Sequence, residues 1–259
     1  MSAGTATPPA TPPLTTLTLP LADPPLGPTF QGEGPSSGRL AVFLRLGGCN
    51  LHCSWCDTPY TWDSSRFTLA EQIRPVPVAE LVDWLTAVAG RGAAPLLVIT
   101  GGEPLLHQRR PAFRALLAAV AELDHGAGLD VEIETNGTLS PSAGLPDRLV
   151  HNVSPKLAAG GDPYERRIVP AALAAFADLA RAGRARFKFV ATGPGDLDQV
   201  AEIVTDHHLP ARHVWISPEG TTAERVLTVA RELADPVLAR GWNLTLRGHT
   251  LLWGDERGR

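Results

Sequence analysis

The chain has 259 residues, 44% hydrophobic and 19% charged, with a formal net charge of −4. That balance is globular, and the length suits one large core. The mild negative charge argues against a dominant nucleic-acid or anionic-membrane surface, and no run approaches the apolar length of a membrane span.

Met1–Pro13 is rich in Pro, Thr and Ala, without a basic segment followed by an apolar core, so it does not read as a secretory signal. Residues 1–25 together read as a disordered tail, and residues 26–259 as one domain. Pro24, Pro25 and Pro28 lead into Phe30–Gly34, where glycines on both sides of Glu33 let the backbone approach a ligand; the alternative is an ordinary glycine turn. Leu40–Leu46 is a strand bounded by Gly38 and Gly47. Its alternation puts Arg45 on a face with Ala41 and Phe43, and a charge there needs a partner. The partner is either a core carboxylate or an anion in a site, since a guanidinium forks onto carboxylates.

The next stretch, Gly47–Thr58, holds all three cysteines of the chain, Cys49, Cys53 and Cys56, spaced C-x3-C-x2-C. An odd count with such short loops forms no disulfide framework, and the absence of other cysteines suits a reducing cytosol. Three thiolates can converge on one metal centre. A 4Fe–4S cluster normally takes four, so three leave one iron open, as a catalytic metal requires. Packed inert cysteines, or a structural zinc completed by His52, are the alternatives.

Helical spacing covers Val78–Ala89 and Pro111–Leu123, on either side of a strand at Leu96–Ile99 that runs into Thr100-Gly101-Gly102. Strands follow at Val131–Glu134, ending at Thr135-Asn136-Gly137, and at Leu149–Val153, ending at Ser154-Pro155-Lys156. Then come a helix at Pro170–Ala182, a strand at Arg186–Val190, a helix at Leu197–His207 and a strand at Val214–Ile216 ending at Ser217-Pro218. A helix at Thr222–Arg240 and a strand at Trp242–Leu246 close the chain. Strands alternating with helices about six times indicate right-handed βαβ units and a parallel sheet. The fold class is α/β. An incomplete (β/α)6 TIM-like barrel is preferred to a doubly wound sheet, because every suspect residue falls just after a strand, and a barrel gathers those ends on one face.

Of 23 basic residues only Lys156 and Lys188 are lysines, so a lysine here is poorly explained as surface filler. Glu134 and Asn136 are candidates for a pocket wall. His107 and His151 read as surface or satisfied core histidines, His207-His208 as a solvated helix end, and His249 is assigned no role.

The cysteine motif, with Trp55 directly before its last cysteine, resembles the signature of the radical S-adenosylmethionine (SAM) superfamily, and Thr100-Gly101-Gly102-Glu103-Pro104 resembles its GGEP motif. Phe30–Gly34, Cys56-Asp57-Thr58 and His249–Gly254 resemble one branch, the 7-carboxy-7-deazaguanine synthase family. The likeness covers most of the chain after about residue 27. It implies a partial barrel of the radical SAM type, with a 4Fe–4S cluster on Cys49, Cys53 and Cys56 and SAM chelating the open iron. It further implies SAM contacts from Trp55, Cys56, Asp57, Gly102, Ser154, Pro155, Lys156, Ser217 and Pro218. Phe30, Gln31, Gly32, Arg45 and Thr100 would contact substrate, and Thr58 would ligate Mg²⁺. No side chain is implied as catalytic, since a SAM-derived radical carries the chemistry. The implied enzyme is a carbon–nitrogen lyase that turns 6-carboxy-5,6,7,8-tetrahydropterin into 7-carboxy-7-deazaguanine with loss of ammonia, in queuosine-type deazapurine biosynthesis. It would be a cytoplasmic homodimer fed electrons by a flavodoxin or ferredoxin, with no nucleic-acid or membrane partner. Two other readings stand beside it: another single-cluster radical SAM enzyme, such as a glycyl-radical activase, and a non-catalytic, metal-stabilised binding module.

Overall fold

The computed structural model describes residues 12–90, 95–123 and 129–258. In chain order the elements are β1 (Thr18–Leu21), β2 (Leu26–Phe30), β3 (Leu40–Leu46), α1 (Leu69–Gln72), β4 (Arg74–Pro77), α2 (Val78–Ala89), β5 (Leu96–Gly101), α3 (Pro111–Ala121), β6 (Val131–Thr135) and β7 (Leu149–Val153). They continue with α4 (Tyr164–Arg167), α5 (Pro170–Arg181), β8 (Ala185–Ala191), α6 (Asp196–Asp206), β9 (Val214–Pro218), α7 (Ala223–Ala239), β10 (Asn243–Leu244) and α8 (Gly248–Trp253).

One sheet runs in the order β10-β9-β8-β7-β6-β5-β3-β1-β4, with β2 also on β3. From β3 to β10 every neighbouring pair is parallel, while β1, β2 and β4 pair antiparallel. Parallel strands laid down in sequence order are the order of a barrel. The edges β10 and β4 are not paired to each other, so this is the incomplete α/β barrel expected.

Strand alternation divides the side chains. On β8, Ala185, Phe187, Phe189 and Ala191 are buried in the layer against the helices, and Arg186, Lys188 and Val190 point the other way. β3 does the same: Val42, Leu44 and Leu46 join the helix-side core, and Ala41 and Phe43 join Leu96 and Val98 in a small inner cluster. The barrel interior is therefore apolar at one end and charged toward the strand C-termini. Pro111 and Pro170 open α3 and α5 at a position where the missing N–H costs nothing.

The structure corrects the sequence reading in three places and matches it in leaving the β6–β7 connection, residues 136–148, without a helix. Residues 18–21, read as part of the tail, form β1, with Leu19 and Leu21 fully buried, and Leu14 and Leu17 pack partly buried against the core. Residues 1–11 lie outside the described residues. The expected strand at Trp242–Leu246 is only two residues long, because Thr245 turns away and its Oγ1 accepts the Gly34 N–H at 2.8 Å. Phe30–Gly34 is a strand end as well as a turn, since β2 carries Phe30 against Leu40.

Candidate active site

At the C-terminal ends of the strands lies a cavity of about 240 Å³. The Gly47–Thr58 loop after β3 forms one wall and is tied down from three sides. Gly48 N donates to Thr61 O at 2.7 Å and Gly48 O accepts from Glu103 N at 2.7 Å. Asn50 Oδ1 accepts from Asn136 Nδ2 at 2.9 Å, and Asn50 O accepts from Arg166 at 3.0 Å. His52 N donates to Asp162 Oδ2 at 2.7 Å. Glu103, wholly buried, receives Leu105 N, Thr135 Oγ1 and Asn136 N within 2.9 Å, knotting the β5 end to the β6 end. Burial still pushes its carboxyl above the usual range, against those donors. Gly101 has φ +135°, and a Cβ there would overlap Leu46 O; on Gly102 it would overlap Gly48 O. The TGGEP turn thus presses its backbone onto the cysteine loop as only glycine can.

All three thiols line the cavity, as do Trp55, Asp57 and Thr58. Donors face the sulfurs: Trp62 Nε1 lies 3.4 Å from Cys56 Sγ, Leu51 N 3.5 Å from Cys49 Sγ, and Asn136 Nδ2 4.0 Å from it. Burial pushes the Cys49 thiol up to about 11 and raises Cys53 too, so metal binding must displace their protons. Among the described residues no three His, Cys, Asp or Glu side chains are grouped to hold a single ion. The zinc alternative loses its fourth ligand as well: the His52 ring faces Asp162 at 3.8 Å and Trp62 at 5.0 Å and does not line the cavity. Thiols set wider than one ion's shell, with N–H donors aimed at sulfur, fit a cluster that takes one thiolate per iron.

Gly102, Ser154 and Lys156 line the cavity beside the thiols. Lys156 Nζ donates to Ser154 Oγ at 3.0 Å and stands 5.6 Å from the Trp55 ring centroid. Trp55 Nε1 is buried without a partner. Pro155, Ser217 and Pro218 are buried and do not line the cavity; just beyond them Glu219 and Thr221 do. Ser217 is nonetheless buried with its hydroxyl unpaired.

Phe30, Gln31, Gly32, Arg45 and Thr100 line the cavity too. Arg45 meets the first alternative posed for it, pairing through its Nε with the Asp23 carboxylate at 3.3 Å, and it also lines the cavity.

The radical SAM superfamily profile matches residues 44–204. The 7-carboxy-7-deazaguanine synthase of Pyrobaculum aerophilum is 35% identical over 89% of this chain and 94% of its own. That of Hyperthermus butylicus is 37% identical over 86% and 89%. The crystal structure of QueE from Escherichia coli superposes with a TM-score of 0.63 at 26% identity, covering 91% of this chain and 96% of that one. The chain belongs to the 7-carboxy-7-deazaguanine synthase family of radical SAM enzymes. Membership brings the 4Fe–4S cluster and SAM with it, and sets aside the activase and binding-module readings.

Within the family's barrel, the structure adds a buried charge network that sequence reasoning passed over. Glu33 receives Lys188 on one oxygen and Arg247 Nε at 2.9 Å on the other, and Arg247 continues to Asp57 at 2.8 Å. Burial opposes ionisation of Glu33, but Lys188 and Arg247 outweigh it and hold the carboxyl well below the usual range. Burial likewise opposes the charges on Lys188 and Arg247, and Glu33 raises both above their ordinary values. Glu134, on the same wall, accepts from Thr100 Oγ1 at 2.7 Å and Gln31 Nε2 at 3.3 Å. The scarcity of lysine was the signal for Lys188. Nothing local in the sequence marks Arg247.

Proposed function

We propose that this chain converts 6-carboxy-5,6,7,8-tetrahydropterin to 7-carboxy-7-deazaguanine with release of ammonia, in queuosine-type deazapurine biosynthesis. The observation that carries the reading is one cavity lined both by the three thiols and by the polar side chains of Gln31, Arg45, Thr100 and Glu134. When bound, the cluster and SAM supply reductive SAM cleavage and the carbon-centred radical that abstracts and returns a substrate hydrogen.

The chain's own residues bind, orient and shield. Cys49, Cys53 and Cys56 hold the cluster, and Trp55, Asp57, Gly102, Ser154 and Lys156 hold SAM against it. Pro155, Ser217 and Pro218 support that wall from behind. Arg45, steadied by Asp23, grips the pterin carboxylate. Thr58 gives a hydroxyl to Mg²⁺, which prefers hard oxygen ligands and completes its shell from substrate and water. Glu33 and Glu134 suit the N–H donors of the pterin ring, and Phe30, Gln31, Gly32 and Thr100 frame it. The ionised network lets the cavity present charge without a free counterion, and closing it over the substrate excludes water from the radical.

A flavodoxin or ferredoxin as electron donor, a homodimeric assembly and a cytoplasmic location complete the proposal. No described helix is long and apolar enough to cross a membrane. Anaerobic reconstitution with iron and sulfide, followed by reductant, SAM, Mg²⁺ and the carboxypterin, tests the core of it. Mass spectrometry should find the deazaguanine product with native protein and none with Cys49→Ala. Cleavage of SAM without that product would refute the substrate.

A further inference from the structure

The outer side of the cysteine loop carries a surface that the reaction does not use. Leu106 follows the TGGEP turn and is 43% exposed. Its Cδ1 lies 3.8 Å from where a Cβ on Gly48 would stand, one residue from Cys49. Arg109 and Arg110 are exposed directly behind it. Arg109 has no ion-pair partner among the described residues. Arg110 reaches only the His107 ring, at 3.4 Å, and His107 Nε2 is itself 2.9 Å from Gly47 O. On the other flank, exposed Arg166 lies against Asn50 O.

Arg166 also pairs with Asp162 at 3.8 Å, whereas Arg109 and Arg110 are poorly placed for stability. Arg109 and Arg110 immediately precede Pro111 at the start of α3, where the helix macrodipole is positive and a carboxylate would help. The first turns of α2, α6 and α7 carry carboxylates, Glu80, Asp196 with Asp198, and Glu224, whereas α3 and α5 have none, and only α3 is directly preceded by two arginines. An apolar centre rimmed by arginines is the make-up of a transient protein interface.

We propose that the surface of Leu106, Arg109, Arg110 and Arg166 is the docking site of an acidic one-electron carrier protein that reduces the cluster. The proposal rests on the reading that Cys49, Cys53 and Cys56 hold a 4Fe–4S cluster. One electron leaves the carrier's reduced centre and enters the oxidised cluster; no bond or proton changes hands. The approach of Leu106 to Gly48, next to Cys49, gives a protein path between the docked carrier and a ligating sulfur. The arginines speed encounter with an acidic partner and make it salt-dependent.

The test uses the reconstituted enzyme and flavodoxin hydroquinone as the carrier, following bleaching of the cluster absorbance anaerobically. Native protein should be reduced fast at low salt and progressively slower as salt rises. Arg109→Glu/Arg110→Glu should slow flavodoxin-driven reduction roughly tenfold or more, leave reduction by dithionite unchanged, and weaken flavodoxin binding in titration calorimetry. Arg231→Glu on α7, toward the other edge of the sheet, should change none of these. Unchanged flavodoxin-driven reduction and binding in the double variant would overturn the proposal. If dithionite bleaches nothing in native protein, the cluster reading has failed instead. The binding arm then still decides: unchanged affinity overturns the docking surface, and a loss confined to the double variant upholds it.

Discussion

Removing Lys188 tests whether the interior charges act as one unit. Lys188 and Arg247 share Glu33, and the three side chains are 17%, 13% and 12% exposed. Taking one partner from a buried ion pair costs about 3–5 kcal/mol, because the remaining charge is stranded. In Lys188→Met, Glu33 keeps Arg247 at 2.9 Å, so we expect a smaller loss, about 2 kcal/mol. Glu33→Gln strands two cations, of which Arg247 retains Asp57 at 2.8 Å, and should cost more, about 3–4 kcal/mol. The double variant strands neither Glu33 nor Lys188. It should be less destabilised than the sum of the singles by at least about 1 kcal/mol, the mark of direct coupling. Urea unfolding of the metal-free protein followed by circular dichroism gives all four free energies without any cofactor. Strict additivity within about 0.5 kcal/mol would refute the reasoning. So would a Lys188→Met protein as stable as the native one.

Three further outcomes follow from other parts of the molecule. Arg45→Ala should weaken pterin binding about 10–100-fold while SAM is still cleaved without product; unchanged KM for the pterin would remove Arg45 from substrate binding. Gly102→Ala forces a Cβ onto Gly48 O, so reconstituted protein should bind less iron per chain and hold SAM more weakly, and native iron content and SAM affinity would contradict that. His151 is buried with both ring nitrogens unpaired and its ring 5.4 Å from Phe176, and burial lowers its pKa to about 4. Its folded value lies below the unfolded value of about 6.5, so the unfolded chain binds the proton first. That site should therefore cost about 3 kcal/mol as pH falls through this window. His151→Leu should flatten the slope there, and an unchanged profile would deny the neutral buried ring.

The contrast between what was legible and what was not follows from sequence distance. The thiols sit within eight residues, and short spacing in one loop points to a shared metal centre, whose chemistry the family resemblance of the motif then specifies. The parallel strands were equally open, because β5 and its neighbours are short apolar runs ending in polar turns. β1 and β4 were hidden by their prolines: Pro20 sits opposite Pro75, and Pro77 opposite Thr18. Proline in a Thr- and Ala-rich context reads as a tail, yet it is tolerated near a sheet edge, where a ladder bond can be missing. Leu19 and Leu21, alternating into the core, were the countersign. The Glu33 network was invisible for a different reason. Its partners lie 155 and 214 residues away, and only barrel closure brings the β2–β3 turn, β8 and the segment before α8 together. Glu33 and Lys188 stand out singly, in a glycine turn and as a rare lysine, but no local pattern joins them to Arg247, so the sequence holds the parts while the topology alone makes them a network. A fold that lines its interior with strand residues pointing inward can thus keep a charged wall out of any local motif. The residues most dependent on the fold, Glu33, Lys188 and Arg247, are therefore the ones where stability and substrate binding should change together.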